Sequence, residues 1–182
     1  MSLVILDRDG VINVESPDYI KSPDEWIPIP GSLEAIAELK RAGYQVAVAT
    51  NQSGVGREYY SHDILQDIHE KMISAAIAAG GDIDIIRYCP HTPDDDCVCR
   101  KPRPGLFEAL ARFYEHPLDN VPAVGDSLRD LQASALAGAS PVLVRTGNGL
   151  KTLANPEFNP DIPVYDDLAA FVNALLSGAH NG

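Results

Sequence analysis

Cysteine is scarce in this sequence: there are three in 182 residues, and all of them lie in the segment "CPHTPDDDCVC" at residues 89–99. An odd number of cysteines in so short a stretch is poor material for a disulfide framework. A thiolate that is not paired in a disulfide remains available as a metal ligand. The distribution therefore favours metal binding over disulfide bonding.

Long apolar runs are absent as well. The longest, such as residues 3–6 and 75–79, are far shorter than the roughly 20 residues that a membrane-spanning helix needs. The opening "MSLVIL" leads directly into "DRDG" without a basic segment, so we expect no signal peptide. No Gly/Ser-rich linker divides the chain. We therefore expect a single domain over residues 1–182 and a cytoplasmic location.

Positive charge is in short supply. The chain has 14 Lys and Arg residues against 26 Asp and Glu residues, which gives a formal net charge of -12. A negative field repels both the nucleic-acid backbone and anionic lipid headgroups. We therefore expect neither nucleic acid nor a membrane as a partner. No heptad repeat or amphipathic stripe marks a partner surface, so we predict a monomer.

Short apolar strands alternate with amphipathic helices along the chain. Strands that are apolar throughout are typical of a parallel sheet covered on both faces. One helix signal has Ser32 as its predicted N-cap, and another has Pro104 near its start. The predicted strands are residues 3–7, 45–50, 84–88, 121–125 and 141–145, and the predicted helices are residues 31–42, 61–79, 104–115, 127–137 and 166–177. This order predicts an α/β fold with a doubly wound, mostly parallel sheet.

No segment is long enough to form a large cap domain. Residues 13–30, "NVESPDYIKSPDEWIPIP", are rich in turn residues and are predicted to supply only a flap. In a doubly wound sheet the ligand site lies beyond the carboxyl ends of the strands. The segments predicted to meet there are "DRDG", "TNQSG", the cysteine segment and "GDSLRD".

Carboxylates follow two of the predicted strands. Asp7 and Asp9 come after the first strand, and Asp126 and Asp130 come after the fourth. A bare D-x-D-G is equally consistent with a turn carrying solvated acids. Carboxylates from separate strands can, however, share a hard cation. The pattern predicts a Mg²⁺ site held by Asp7, Asp126 and a backbone carbonyl.

Groups that can bind a phosphate follow the other strands. Thr50 offers a hydroxyl, residues 51–53 offer backbone amides, and Lys101 offers a positive charge. Thr50 or Lys101 alone is better read as an ordinary strand-end or solvated residue. The ordered set of Asp-x-Asp, Thr, Lys and Asp-x-x-x-Asp is far more specific than any member of it.

The segment at residues 89–99 also carries a recognisable ligand set. Cys89, His91, Cys97 and Cys99 give C-x-H and C-x-C separated by a short acidic loop, which matches a closed Cys₃His zinc site. Four protein ligands leave no open position for substrate. The intervening "TPDDD" provides no apolar residues for packing, so we expect a structural Zn²⁺ to order the loop.

Together these motifs resemble the haloacid dehalogenase (HAD) superfamily of phosphotransferases, from "ILDRDGVIN" through "VAVATNQSG" and "CRKPRPG" to "VGDSLRDLQAS". The resemblance implies that Asp7 is the nucleophile of an aspartyl-phosphate mechanism and that Asp9 is the general acid and base. Thr50 and Lys101 would hold the phosphoryl oxygens. Asp7, Asp9 and Asp126 would form the Mg²⁺ site, with Asp130 in a supporting position.

The zinc loop followed by "CRKP" resembles two families of small-molecule phosphatases, which act on heptose 1,7-bisphosphate and on histidinol phosphate. "TNQSG" and "RKPRPG" are more similar to the heptose family, which implies a phosphosugar substrate, hydrolysis of its 7-phosphate and a place in ADP-heptose and lipopolysaccharide precursor synthesis. One departure is Ser127, where enterobacterial members have a lysine, and Arg129 could replace it. The substrate contacts that the resemblance implies are Arg8, Glu15, Asp18, Asn51, Gln52, Ser53 and Arg100.

Three other interpretations are a zinc-based binding module, a DNA 3′-phosphatase and a nucleotide-binding loop. A zinc-based binding module would need a basic surface, which the acidic loop lacks, and a DNA 3′-phosphatase would need a basic channel. The segment "RTGNGLKT" at residues 145–152 departs from the phosphate-binding pattern G-x-x-x-x-G-K-[ST] and is predicted to be a plain turn. The remaining histidines are predicted to have surface or packing roles: His62, His69, His116 and His180.

Overall fold

The sheet of this protein has six parallel strands within residues 2–178, the part of the chain that the computed structural model describes. Their order across the sheet is β3-β2-β1-β4-β5-β6. The strands are β1 (Leu3–Leu6), β2 (Gln45–Asn51), β3 (Ile85–Cys89), β4 (Pro122–Gly125), β5 (Ser140–Val144) and β6 (Val164–Tyr165). Five correspond to the predicted strands. The short β6 lacks a long apolar run and was not predicted.

Helices cover both faces of the sheet. They are α1 (Ser32–Arg41), α2 (Ser53–Gly56), α3 (His62–Ala78), α4 (Gly105–Tyr114), α5 (Leu128–Leu136), α6 (Gly149–Leu153) and α7 (Leu168–Leu176). Successive side chains of a strand point to opposite faces. Accordingly, Val4 and Leu6 of β1 belong to a core shared with α1, α3 and α7, whereas Leu3 and Ile5 belong to a second core with α4. Burial on both faces explains why β1, β2 and β4 are largely apolar, whereas the edge strand β3 is half-buried and contains Arg87.

The strand order reverses at β1, which lies between β2 and β4. This reversal opens a crevice beyond the carboxyl ends of the strands, where ligands bind in open α/β sheets. The predicted α/β class and doubly wound parallel sheet are therefore confirmed. No helix of the described residues is long and apolar enough to span a bilayer.

The start of α1 corrects one detail of the sequence analysis. The N-cap is Gly31, whose φ is +85°, and not Ser32. The Ser32 hydroxyl instead donates a hydrogen bond of 2.7 Å to the carbonyl of Ile12. This buried contact ties α1 to the turn after β1, and sequence patterns cannot distinguish it from a cap because both use a serine at a helix start.

Residues 13–30 form a flap beside the crevice and no large cap. The flap is anchored at its base by a bridge between Asn13 and Pro28, and it contains one turn of 3₁₀ helix at Pro23–Glu25. The expected single domain over residues 1–182 includes Met1 and residues 179–182, which lie outside the described residues. That boundary stays a prediction.

Candidate active site

Three carboxylates from two neighbouring segments meet at the centre of the crevice. β1 and β4 are adjacent and parallel, with Leu6 opposite Val124, so Asp7 and Asp126 emerge side by side. Asp130 joins them from the first turn of α5, where its carboxylate accepts hydrogen bonds from the backbone amides of Asp126 at 3.2 Å and Ser127 at 2.9 Å. Asp7, Asp126 and Asp130 each place one oxygen within 4.8 Å of the others.

Lys101 provides the positive charge for this cluster. Its ammonium lies 3.0 Å from Asp7 Oδ1 and 2.7 Å from Asp130 Oδ1, and it donates a hydrogen bond of 2.8 Å to the carbonyl of Ala49. The side chain is only 1% exposed. Burial opposes its charge, but Asp130 and Asp7 outweigh that effect and raise the pKa of Lys101. The lysine is therefore permanently charged and held in contact with Asp7 and Asp130.

One cation is not enough to neutralise three carboxylates. Burial, followed by repulsion from Asp130, raises the pKa of Asp7 to about 8, although Lys101 acts in the opposite direction. The same two causes raise the pKa of Asp126 to about 7. Crowded, buried oxygen donors of this kind suit a hard divalent cation such as Mg²⁺. The donor set therefore fits the predicted Mg²⁺ site.

Two glycines permit the approach of the chain to Asp126. A Cβ atom on Gly10 would lie 2.1 Å from Asp126 Oδ2, and one on Gly147 would lie 2.3 Å from it. Both glycines have positive φ, +82° and +56°. A larger residue at either position would displace the carboxylate.

Asp9 lies outside this cluster of three carboxylates, because its own carboxylate is engaged elsewhere. Its Oδ1 accepts hydrogen bonds from Arg8 Nη2 at 2.9 Å and Asn13 Nδ2 at 2.9 Å, and its Oδ2 accepts one from Gln52 Nε2 at 2.8 Å. Burial would raise the pKa of Asp9, but Arg8 and the amide donors outweigh it and lower the pKa. Among the side-chain carboxylates of the described residues, those of Asp7, Asp126 and Asp130 therefore come together, and that of Asp9 does not join them.

The end of β2 forms one wall of the crevice. Thr50 Oγ1 accepts a hydrogen bond of 2.9 Å from Gln52 Nε2. The side chain of Asn51 pairs with the backbone of Lys101, accepting from its amide at 3.0 Å and donating to its carbonyl at 3.1 Å. These contacts tie the lysine segment to β2. Thr50, Asn51, Gln52 and Ser53 all line the crevice, whose volume is about 250 Å³.

The flap and the arginines form the mouth of the crevice. Glu15 lines it, and burial, followed by repulsion from Asp9 and Asp7, raises its pKa to about 7. Arg8 and Arg100 also line the crevice, together with Arg129, the predicted replacement for the lysine missing at Ser127, and Arg57, which had no predicted site role. Asp18 is exposed and does not line it. The structure thus brings the predicted substrate contacts together, except for Asp18.

The four predicted zinc ligands converge in the loop after β3. Cys89 Sγ lies 3.6 Å from Cys97 Sγ, and His91 Nδ1 lies 3.5 Å from Cys89 Sγ and 3.3 Å from Cys99 Sγ. Two thiolates around one tetrahedral zinc are about 3.8 Å apart, so these separations fit a Cys₃His site. The loop leads directly into Arg100, which donates a hydrogen bond of 3.2 Å to the carbonyl of His91.

The segment at residues 145–152, predicted to be a plain turn, also reaches the site. The backbone amide of Asn148 donates to Asp126 Oδ2 at 2.7 Å, and its side-chain amide reaches Asp126 Oδ2 at 3.2 Å and Glu15 Oε2 at 3.1 Å. The signal was available, because this segment follows the fifth predicted strand and such strand ends meet at the crevice. His69 contacts Arg8 and Tyr60 donates to Gln52, and neither residue carried a sequence signal for the site. His180 lies outside the described residues.

Two family models match the chain. The model described as polynucleotide kinase 3 phosphatase matches residues 3–130, and one described as HAD-hydrolase-like matches residues 98–171. The first covers well over half of the chain. The first range contains "DRDG", "TNQSG", "CRKPRPG" and "GDSLRD", and the second contains only the last two of these.

Curated relatives resemble the chain over nearly its full length. The D-glycero-β-D-manno-heptose-1,7-bisphosphate 7-phosphatase of Bordetella bronchiseptica is 54% identical over 98% of this chain and 100% of its own. The enzyme of the same name from Pseudomonas aeruginosa is 51% identical over 96% of this chain and 98% of its own. The crystal structure of the B. bronchiseptica enzyme, complexed with magnesium and phosphate, aligns with a TM-score of 0.96 over 98% of this chain and 99% of that one.

Proposed function

Because the chain belongs to the D-glycero-β-D-manno-heptose-1,7-bisphosphate 7-phosphatase family of HAD-like hydrolases, we propose that it hydrolyses the 7-phosphate of this sugar and leaves heptose 1-phosphate. The observation that carries the proposal is 54% identity over 98% of the chain. The family resemblance predicted from "DRDG", "TNQSG" and "CRKPRPG" is thereby confirmed. The place of the reaction in ADP-heptose and lipopolysaccharide precursor synthesis is part of the proposal.

The reaction would begin at Asp7. In this proposal a carboxylate oxygen of Asp7 attacks phosphorus, the bond between phosphorus and the sugar O7 breaks, and an aspartyl-phosphate forms. Asp9 protonates the departing alkoxide, and it then removes a proton from the water that hydrolyses the intermediate. The support is the position of both carboxylates at the end of β1, with Asp7 against the ammonium of Lys101 at 3.0 Å.

The transferring phosphoryl group would be held by the end of β2 and by Lys101. Thr50 Oγ1 and the backbone amides after it are the proposed donors to its oxygens, and Lys101 balances its charge. Asp7 and Asp126 would hold Mg²⁺, with Asp130 beside them. When bound, this ion supplies positive charge that attracts the phosphate and reduces its repulsion from the carboxylates.

The arginines at the mouth of the crevice support a substrate with a second phosphate. Arg57, Arg100 and Arg129 line it without an ion pair to a carboxylate among the described residues. They lie close enough together that Arg129 and Arg57, after burial, lower the pKa of Arg100. A cationic cluster in a chain of net charge -12 is suited to an anionic group. We assign the 1-phosphate to it, so that Arg129 takes the role of the lysine replaced by Ser127.

The remaining roles belong to loops. Glu15 of the flap would face the sugar, as would Arg8, Asn51, Gln52 and Ser53 of the crevice wall. Asp18 lies outside the crevice and is left out of the proposed contacts. The zinc loop would have a structural role, since Cys89, His91, Cys97 and Cys99 provide four ligands and the segment fixes Arg100 and Lys101. We further propose that one monomeric domain over residues 1–182 acts in the cytoplasm, without nucleic acid or a membrane as a partner.

One experiment separates the candidate substrates. The kcat/KM values should be compared for both anomers of heptose 1,7-bisphosphate, histidinol phosphate and a 3′-phosphorylated oligonucleotide. The family match to polynucleotide kinase 3 phosphatase makes the oligonucleotide a necessary member of the set. We expect the highest kcat/KM for the β-anomer of the bisphosphate. A higher value for histidinol phosphate or the oligonucleotide would refute the proposed substrate.

A further inference from the structure

Arg8 is a buried cation whose partners lie away from the metal position. Only 1% of its side chain is exposed. Its Nε and Nη2 donate to Asp9 Oδ1 at 3.2 Å and 2.9 Å, and its Nη1 lies 3.3 Å from His69 Nε2. The guanidinium therefore connects the proposed general acid and base with a histidine of α3, 61 residues away in the sequence.

The contact determines the state of His69. An arginine has only donors, so His69 Nε2 must accept, and the ring proton must lie on Nδ1. Burial, followed by the neighbouring Arg8, lowers the pKa of His69 to about 3. The ring is thus a neutral acceptor throughout the physiological pH range. Because His69 accepts from Arg8 Nη1, the guanidinium is held in one orientation, with Nε and Nη2 directed at Asp9.

A second chain of hydrogen bonds reaches Asp9 from the opposite end of the loop after β2. The hydroxyl of Tyr60 donates to Gln52 Oε1 at 2.9 Å. This bond determines which end of the Gln52 amide is the donor, so that Nε2 faces Asp9 Oδ2 at 2.8 Å. A Cβ atom on Gly54 would lie 2.2 Å from the Tyr60 ring, which explains why a glycine occupies that position.

The hydrogen bonds from Arg8 and from Gln52 reach different oxygens of Asp9. Oδ1 accepts from Arg8 Nε, Arg8 Nη2 and Asn13 Nδ2, which exhausts its capacity as an acceptor. Oδ2 accepts only from Gln52 Nε2 among the described residues. Oδ2 therefore retains a lone pair with which to carry a proton.

We propose that His69 and Tyr60 are positioning residues for Asp9, acting through Arg8 and Gln52 so that Oδ2 is the oxygen that gives and takes the proton. The proposal rests on the role of Asp9 in the proposed function. Neither residue touches the reacting atoms. Their effect is to hold one rotamer of Asp9, and a misplaced general acid is a poor catalyst because proton transfer requires close approach.

The test exploits the leaving group. A sugar alkoxide needs a proton to depart, whereas nitrophenolate leaves without one. The variants Tyr60→Phe and His69→Leu should therefore lose roughly 10- to 100-fold in kcat/KM for heptose 1,7-bisphosphate, with little change in KM. Their loss in kcat/KM for p-nitrophenyl phosphate should be much smaller. His69→Gln restores an acceptor at the position of Nε2, and it should recover most of the loss.

Matched controls remove the same groups elsewhere. Tyr59→Phe deletes the hydroxyl of the preceding, half-exposed tyrosine, and His116→Leu replaces an exposed histidine two residues beyond the end of α4. Both should keep the wild-type ratio between the two substrates. Should His69→Leu fail to fold, Tyr60→Phe and His69→Gln decide the question alone. Equal losses on both substrates in Tyr60→Phe, or no loss, would overturn the proposal.

Asp9→Asn separates this inference from the proposed function. Its kcat/KM should fall roughly 10²- to 10⁴-fold for heptose 1,7-bisphosphate and clearly less for p-nitrophenyl phosphate. If Asp9→Asn does not discriminate between the substrates, the acid role of Asp9 is wrong. If Asp9→Asn discriminates and the Tyr60 and His69 variants do not, Asp9 has its role and the positioning by these two residues is wrong.

Discussion

Lys101 illustrates how one residue can serve both stability and chemistry. Its buried ammonium lies between the carboxylates of Asp7 and Asp130. Removing one partner of a buried ion pair leaves an uncompensated charge, and this costs more than the pair itself contributes. In the proposed mechanism, catalysis and folding would therefore depend on the same contact.

We expect Lys101→Met to abolish turnover and to lower the free energy of unfolding by about 3–5 kcal/mol, because it leaves the buried, ionised carboxylate of Asp130 without its cation. Urea unfolding in the absence of divalent ions measures the second effect. The double variant Lys101→Met/Asp130→Asn should recover part of the stability but none of the turnover. Equal stability of the wild type and Lys101→Met would contradict the buried pairing.

Magnesium binding should depend on pH through Asp7 and Asp126. Their pKa values in the metal-free protein are raised to about 8 and about 7, from 3.8. The two carboxyls hold their protons more tightly in the folded protein than in the unfolded chain. The stability that this contributes is fully present below about pH 4 and is lost as the pH rises through 7 and 8. At pH 6 both carry protons that the cation must displace, whereas at pH 9 they do not.

We therefore predict that the affinity for Mg²⁺ rises between pH 6 and pH 9 and that binding at pH 6 releases protons. Titration calorimetry in buffers of different ionisation enthalpy measures both. Asp126→Asn should bind Mg²⁺ weakly at every pH. A pH-independent affinity in the wild type would exclude protonated carboxylates at the metal position.

At the scale of the element, the zinc loop at residues 89–99 begins at the end of β3 and ends two residues before Lys101. It packs closely on the start of α4, where a Cβ atom on Gly105 would lie 2.4 Å from the carbonyl oxygen of Val98. Within residues 89–99 the loop has little apolar material for packing other than its ligands. Its order should depend on the metal.

We expect Cys97→Ser to lose zinc and to reduce turnover by displacing Arg100 and Lys101. Elemental analysis gives the zinc content, and hydrogen exchange should show faster exchange in residues 89–103 and little change in β1 or β4. Val98→Ser is the control, because Val98 lies between two ligands but is 77% exposed. A native Cys97→Ser protein with full zinc content would exclude Cys97 as a ligand.

The turn between β5 and α6 has a comparable role at the metal position. We predict that Gly147→Ala weakens Mg²⁺ binding at least 10-fold, because the new methyl group would overlap Asp126 Oδ2 at a positive φ. Asn148→Ala should have a smaller effect, since its backbone amide still donates to Asp126. Metal titration measures both, with Gly138→Ala as the control for positive φ without a nearby atom. Unchanged affinity in Gly147→Ala would contradict this packing.

The elements differ in how far sequence could predict them. The strands β1, β2 and β4 were predictable because burial on both faces leaves a largely apolar run. The edge strand β3 is only half-buried and contains Arg87, and its signal was the pair Ile85 and Ile86. The segments that follow these strands pointed to Asp7, Thr50, Lys101 and Asp126. The contacts of Asn148 depend on the direction of a turn, which local patterns do not encode. The pairing of Arg8 with His69 joins β1 to α3, and a single histidine on a helix carries no period or spacing that reveals it.

For the whole molecule, the distribution of charge follows the proposed reaction. The chain has a net charge of -12, yet its crevice gathers Arg57, Arg100, Lys101 and Arg129 at one edge of the sheet. A negative surface disfavours long polyanions, whereas a small cationic crevice suits a compact bisphosphate. Fold, metal position and charge thus point to one small phosphorylated substrate.

The central claim is that Asp7 carries the phosphoryl group during turnover. Rapid acid quenching of the enzyme with heptose 1,7-bisphosphate, followed by mass analysis of the peptide that contains Asp7, tests it directly. We expect a transient addition of one phosphate on Asp7, absent from Asp7→Asn, which should remain folded but inactive. Full turnover by Asp7→Asn, or a phosphate on any other residue of the wild type, would contradict the account.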